Sequence, residues 1–162
     1  MTKLELIAFI NEQLADASNI TPEEHRAVEI AIVDFCDKKK KILTLESFTT
    51  DRNYSVNTGI AEGNIITGVR VMLECKNNNN GFVAGDHVTA PTPYPKDSGR
   101  TNAQGIGIQY NGVASIRIMV NDEICLMTPY NSSPNANANN LLLSGSATDN
   151  WKIKLYVDYQ SK

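Results

Sequence analysis

The chain has 162 residues, 41% of them hydrophobic, and a formal net charge of −3, which fits one compact domain or a domain with a small appendage. The charge divides as roughly −2 over residues 1–41 and about −1 over the remainder, so neither part has the basic surface of a nucleic-acid binder. Leu4–Ile10 is interrupted by Glu5 and no run approaches ~20 apolar residues, which argues against an export signal and against membrane insertion, and predicts a soluble chain folded in a cytoplasm.

Residues 3–14 place Leu6, Ile7, Ile10 and Leu14 on one helical face, with Glu5 and Glu12 outside it. Asp16–Asn19 is turn material. Thr21-Pro22-Glu23-Glu24 then opens a second helix. Thr21 serves as N-cap, Pro22 takes the first helical position, where its missing N–H costs nothing, and Glu24 closes a capping box. Val28, Ala31, Ile32 and Phe35 follow at i, i+3, i+4 and i+7, and Lys38–Lys41 are expected to end the helix against the negative pole of its dipole. Two such helices bury little area alone, and Ile30 and Val33 lie off the main stripe. The spacing therefore predicts a helical hairpin over residues 1–41 that anchors or oligomerises by packing on other copies or on a larger partner.

From Ile42 the hydrophobic period changes to two. Leu43–Leu45 and Tyr54–Val56 are short strand candidates, and Val69, Val71, Leu73 and Cys75 alternate with polar residues in a stronger one. Asn77–Gly81 forms a turn, after which Phe82-Val83 and His87-Val88 read as one bent strand around Gly85-Asp86. Pro91, Pro93 and Pro95 make Ala90–Arg100 an irregular loop. Ile106–Tyr110 and Ala114–Val120 flank Asn111-Gly112, the signature of a two-residue type I′ hairpin. Asn121-Asp122-Glu123 turns into Ile124–Met127, an asparagine-rich loop covers Thr128–Asn140, and Leu141–Leu143 leads to the last element. In Trp151–Tyr159, Trp151, Ile153, Leu155, Val157 and Tyr159 face one way and Lys152, Lys154, Tyr156 and Asp158 the other, so the chain is expected to end inside its sheet. About seven short strands with frequent turns predict a mainly β chain: a helical hairpin followed, over residues 42–162, by an antiparallel β-sandwich of jelly-roll kind.

No constellation carries catalysis. Asp86, Asp97, Asp122, Glu123, Asp149 and Asp158 fall in turns or on outward strand faces, and Asn121-Asp122-Glu123 lacks the spaced ligands of a calcium loop. Neither His25 nor His87 has a nucleophile motif beside it, and the glycines of Gly99–Gly107 do not open a helix as a phosphate cradle would. Cys36, Cys75 and Cys125 form no metal pattern and suit buried thiols in a reducing compartment. No catalytic, metal or cofactor residue is assigned. Two loops have the Tyr, Asn and Ser content of adaptable recognition surfaces. One carries Tyr94, Lys96, Asp97 and Arg100; the other carries Tyr130 and Asn131. Amides beside an aromatic platform suit carbohydrate.

The opening Met1-Thr-Lys-Leu-Glu-Leu-Ile-Ala-Phe-Ile-Asn11 and Ile20-Thr-Pro-Glu-Glu24 resemble the N-terminal segment of fibre-type proteins from phages of gut Bacteroides, including crAss-like phages. Val69–Cys75, Gly105-Ile-Gly-Ile-Gln-Tyr-Asn-Gly112 and the Trp151–Tyr159 strand are similar to small β-domains of phage head-fibre and tail-fibre proteins. Only ~10–20 residues separate the helices from the first good strand, too few for a fibre shaft, so the resemblance favours a short head-fibre or decoration protein. It implies a non-enzymatic virion protein, synthesised in the host cytoplasm and usually trimeric. The helices, through Leu6, Ile7, Ile10, Leu14, Val28, Ile32 and Phe35, would hold the capsid or tail, and the β-domain would face outward with host-surface glycans as candidate ligands. A carbohydrate-binding module or a tail-fibre receptor-binding domain is the alternative.

Overall fold

A computed structural model describes residues 3–13, 21–36, 38–95, 102–127 and 140–161. Among these residues, two helices, α1 (Lys3–Gln13) and α2 (Pro22–Cys36), precede nine strands: β1 (Lys39–Leu45), β2 (Arg52–Asn57), β3 (Asn64–Cys75), β4 (His87–Thr89), β5 (Ile106–Tyr110), β6 (Ser115–Val120), β7 (Ile124–Met127), β8 (Asn140–Leu143) and β9 (Trp151–Ser161). The chain is mainly β, with antiparallel sheets in the orders β1-β9-β3-β4, β2-β6-β5 and β7-β8. No helix among the described residues is long and apolar enough to cross a membrane.

The alternation in β9 explains its central place. Trp151, Ile153, Leu155 and Val157 are all buried, and a strand this apolar on one face needs neighbours on both edges. It has them: Leu43 of β1 and Val71 of β3 both stand opposite Leu155, and Leu45 and Leu73 both stand opposite Ile153. The inward residues of all three sheets join in one core, from Leu43, Leu73 and Leu155 through Ile116 and Ile118 to Ile124 and Leu143.

The second helix begins as its residues dictate. The Thr21 N–H donates to Glu24 Oε2 at 2.7 Å and the Glu24 N–H donates to Thr21 Oγ1 at 3.2 Å, a reciprocal capping box. The backbone hydrogen bond from Thr21 holds the Glu24 carboxyl below its ordinary range. The helix does not end as expected. α2 has no basic residue in its last turn, and Lys39–Lys41 belong to β1, opposite Tyr159, Asp158 and Val157. A run of lysines beside an apolar stretch suits a sheet edge, where charge deters pairing with another chain, and β9 supplies the template that a helix end lacks.

Further corrections follow from backbone geometry. The bent strand expected over Phe82–Val88 is reduced to β4, because Asn80, Gly81 and Gly85 adopt positive φ and the Asp86 carboxylate accepts the Val83 N–H at 2.7 Å. The Asn111-Gly112 hairpin forms, but with a longer connection than a type I′ turn, since Gly112 has positive φ and Asn111 does not. Thr58 draws the connection inward: its N–H donates to Ala114 O at 3.0 Å and its hydroxyl to Val113 O. β3 begins earlier than expected, at Asn64, with a register shift between Ile66 and Gly68.

Candidate functional site

Among the described residues, several of the ionisable and polar groups singled out in the sequence make contacts within the fold. His25 pairs with Glu29 one turn along α2, at 3.4 Å. Asp122 Oδ2 accepts the Ala103 N–H at 2.9 Å, Glu123 accepts from the Asn102 and Gln104 side chains, and Asn121 Nδ2 donates to Gln104 O at 2.7 Å. The Asn121–Glu123 turn therefore clamps residues 102–104. Cys75 and Cys125 are free thiols; burial pushes the Cys75 thiol up from its ordinary value.

On the outer face of the β1-β9-β3-β4 sheet, charged side chains have partners on neighbouring strands. Glu74, on β3, is flanked across the strands by Lys152 on β9 and His87 on β4. Its carboxylate meets Lys152 Nζ at 2.9 Å, His87 Nε2 at 3.2 Å, and Lys154 Nζ. Burial pushes the Glu74 carboxyl up, but hydrogen bonds from Lys154 and Lys152 and their charges outweigh it, and the group sits below the usual carboxylate range. The hydrogen bond to Glu74 in turn raises the Lys152 ammonium. A carboxyl depressed in the folded state adds stability above its unfolded pKa of about 4.3 and loses it as pH falls through the folded value. Glu74→Gln should therefore lower the melting temperature by about 2–4 °C at pH 7, and the gap to the native chain should close in acid below that range. Thermal melts of both proteins across pH check this; a gap that persists unchanged in acid contradicts it. Farther along the same face, the Arg70 guanidinium lies 4.9 Å from the Tyr156 ring centroid, within cation–π reach.

The β2-β6-β5 sheet differs. Strand parity turns Ile116, Ile118 and Val120 of β6 inward and Ser115 and Arg117 outward. Register then sets Ser55 of β2 and Gln109 of β5 on either side of Arg117, at the ~5 Å spacing of cross-strand neighbours. Ser55, Gln109, Arg117 and Ser115, closed at one end by Tyr110 and Asn111, line a cleft of about 280 Å³. Among the described residues, no side-chain hydrogen bond or ion pair engages any of these six. Sequence alternation shows Arg117 as an outward residue; that Ser55 and Gln109 flank it depends on long-range pairing that alternation does not encode.

The recognition loops are only partly in view. Tyr94 is exposed and its backbone pairs with Gln104 in both directions, at 2.9 and 2.8 Å. Lys96, Asp97, Arg100, Tyr130 and Asn131 lie outside the described residues.

Of the helical residues, Leu6, Val28 and Ala31 are buried outside the main core, and α1 and α2 are in contact. Ile10 is half-buried. Ile7 and Ile32, expected on the apolar stripes that anchor or oligomerise, are 43% and 41% exposed, and Leu4, Ile30 and Val33 are more exposed still. Two thin helices cover only one strip of each other, which leaves these side chains on the surface. Leu14 lies outside the described residues, as does the side chain of Phe35.

Compared with known proteins, the chain matches no family model, no curated protein and no solved structure.

Proposed function

We propose that the chain is a short, non-enzymatic phage virion protein of the head-fibre or decoration kind. It is a homotrimer held on the capsid or tail through residues 1–41, with the β-rich part displayed outward. In this reading the two helices form a hairpin and the sheets close as a sandwich of jelly-roll kind. The observation that carries it is the contrast between the two parts. The strands enclose a continuous core, whereas Leu4, Ile7, Ile30, Ile32 and Val33 leave apolar side chains in water on both helices. Three copies brought together would cover these faces, and a symmetric ring is a common way for a thin element to do so.

Light scattering on the purified chain tests this, with an expected mass about three times 17.8 kDa. Ile32→Asp should give a monomer whose β-sheet circular dichroism is retained, because an unpaired charge taken into an apolar interface costs several kcal/mol. A monodisperse monomer of the native chain at micromolar concentration, or an Ile32→Asp variant of full oligomeric mass, defeats the proposal.

A further inference from the structure

We infer that the cleft on the outer face of β2-β6-β5 binds a carboxylate-bearing saccharide, with Arg117 gripping the carboxylate. Every wall of the cleft comes from one chain, so the inference does not depend on trimerisation or on a place in the virion.

Three observations point the same way. First, the charge: Arg117 is the one ionic group lining the cleft, with no counter-ion among the described residues. On the β1-β9-β3-β4 sheet, by contrast, Glu74 is paired with Lys152, Lys154 and His87, and Arg70 lies over Tyr156. A lone guanidinium between neutral groups is matched by one planar carboxylate, which its fork can bind through two parallel hydrogen bonds. Second, the neighbours: Ser55 and Gln109 stand beside Arg117 in strand register, and Ser115 and Asn111 continue the polar lining. Two hydroxyls and two amides, each able to donate and accept, suit a ring of sugar hydroxyls. Third, the size: about 280 Å³ lies near the lower limit of small-molecule sites, ~300–1,000 Å³, which fits a short saccharide. A phosphate dianion would call for more cations or a nest of backbone N–H groups, and no further cation lines the cleft.

The test is calorimetric or saturation-transfer titration of the full chain with a hexuronate trisaccharide, its methyl ester, sialyllactose, lactose and inorganic phosphate. At least one acidic saccharide should bind, its neutral counterpart at least tenfold more weakly, and added salt should weaken the acid alone. Arg117→Ala should lose about tenfold to a hundredfold in affinity. Arg117→Lys, which keeps the charge without the fork, should lose most of the same. Gln109→Ala should lose less. All three should keep the native circular dichroism and the native mass by light scattering, so that failure here is separable from failure of the assembly proposal. Absence of binding to both acidic saccharides, equal binding of acid and neutral forms, or undiminished binding by folded Arg117→Ala overturns the inference. Phosphate binding as tight as the saccharide would show an anion site only, and also overturns it.

Discussion

Trp151→Ala is expected to destabilise the folded chain by about 3–5 kcal/mol, a large share of the roughly 5–15 kcal/mol that holds a domain of this size together. Trp151 has no exposed surface and opens β9 opposite Cys75. Its ring meets Phe82 edge to face, with centroids 5.0 Å apart and planes at 81°. That contact ties the core to residues 76–86, which leave the sheet and return to it through Lys76 N–H to Asn150 O at 2.7 Å and Gly85 N–H to Cys75 O at 2.8 Å. Truncation to Ala removes the ring area and leaves a cavity that a paired strand cannot collapse into. Trp151→Phe should cost much less. It keeps an aromatic ring against Phe82, and the indole N–H has no acceptor among the described residues to lose. Urea unfolding followed by circular dichroism measures both; a loss under about 1.5 kcal/mol for the Ala variant would mean that the core does not close around this residue.

How much of this was legible in the sequence depends on whether the determinant is local. The alternation of Trp151–Tyr159 marks a long half-buried strand, and β9 is the strand that joins β1 and β3. The Thr21–Glu24 capping box is complete within four residues and appears as expected. Lys38–Lys41 failed because lysines satisfy a helix dipole and guard a sheet edge equally well, and the choice was made by β9 at the far end of the chain. The exposure of Ile32 was undetermined for a related reason. Its position on the apolar stripe was legible, but how far α1 reaches along α2 was not. The candidate cleft divides along the same line. The outward direction of Arg117 follows from alternation in β6, whereas its meeting with Ser55 and Gln109 is a matter of register between distant strands. The Asn111-Gly112 turn shows local preference overruled: Thr58 binds Val113 O and Ala114 O and stretches a connection that Asn-Gly alone would have made tight.

Gly105→Ala is the second substitution expected to act strongly, about 3 kcal/mol or more, through the backbone. Gly105 has φ +86°, and a Cβ there would collide with Thr92 O and lie 2.7 Å from Pro91 O and from the Thr92 carbonyl carbon. These are main-chain atoms, so no side chain can swing aside. They are also held in place, since the Ile106 N–H donates to Pro91 O at 3.0 Å, the Gly105 N–H to Glu123 O at 2.8 Å and the Asn121 N–H to Gly105 O at 3.1 Å. Relief of the clash would pull residues 91–92 off β5 or part the Asn121–Glu123 turn from residues 102–105. Gly112→Ala is the matched control. Its φ is +77°, but nothing lies within 4 Å of the added Cβ, so it should bear only the left-handed backbone cost of roughly 1–2 kcal/mol. Denaturation of the two variants side by side separates strain from collision. Because β5 carries Gln109 into the cleft, Gly105→Ala should also weaken saccharide binding wherever the variant remains folded. Equal destabilisation by the two substitutions would mean that the Pro91–Thr92 carbonyls do not press on Gly105, and that β5 is not held from that side.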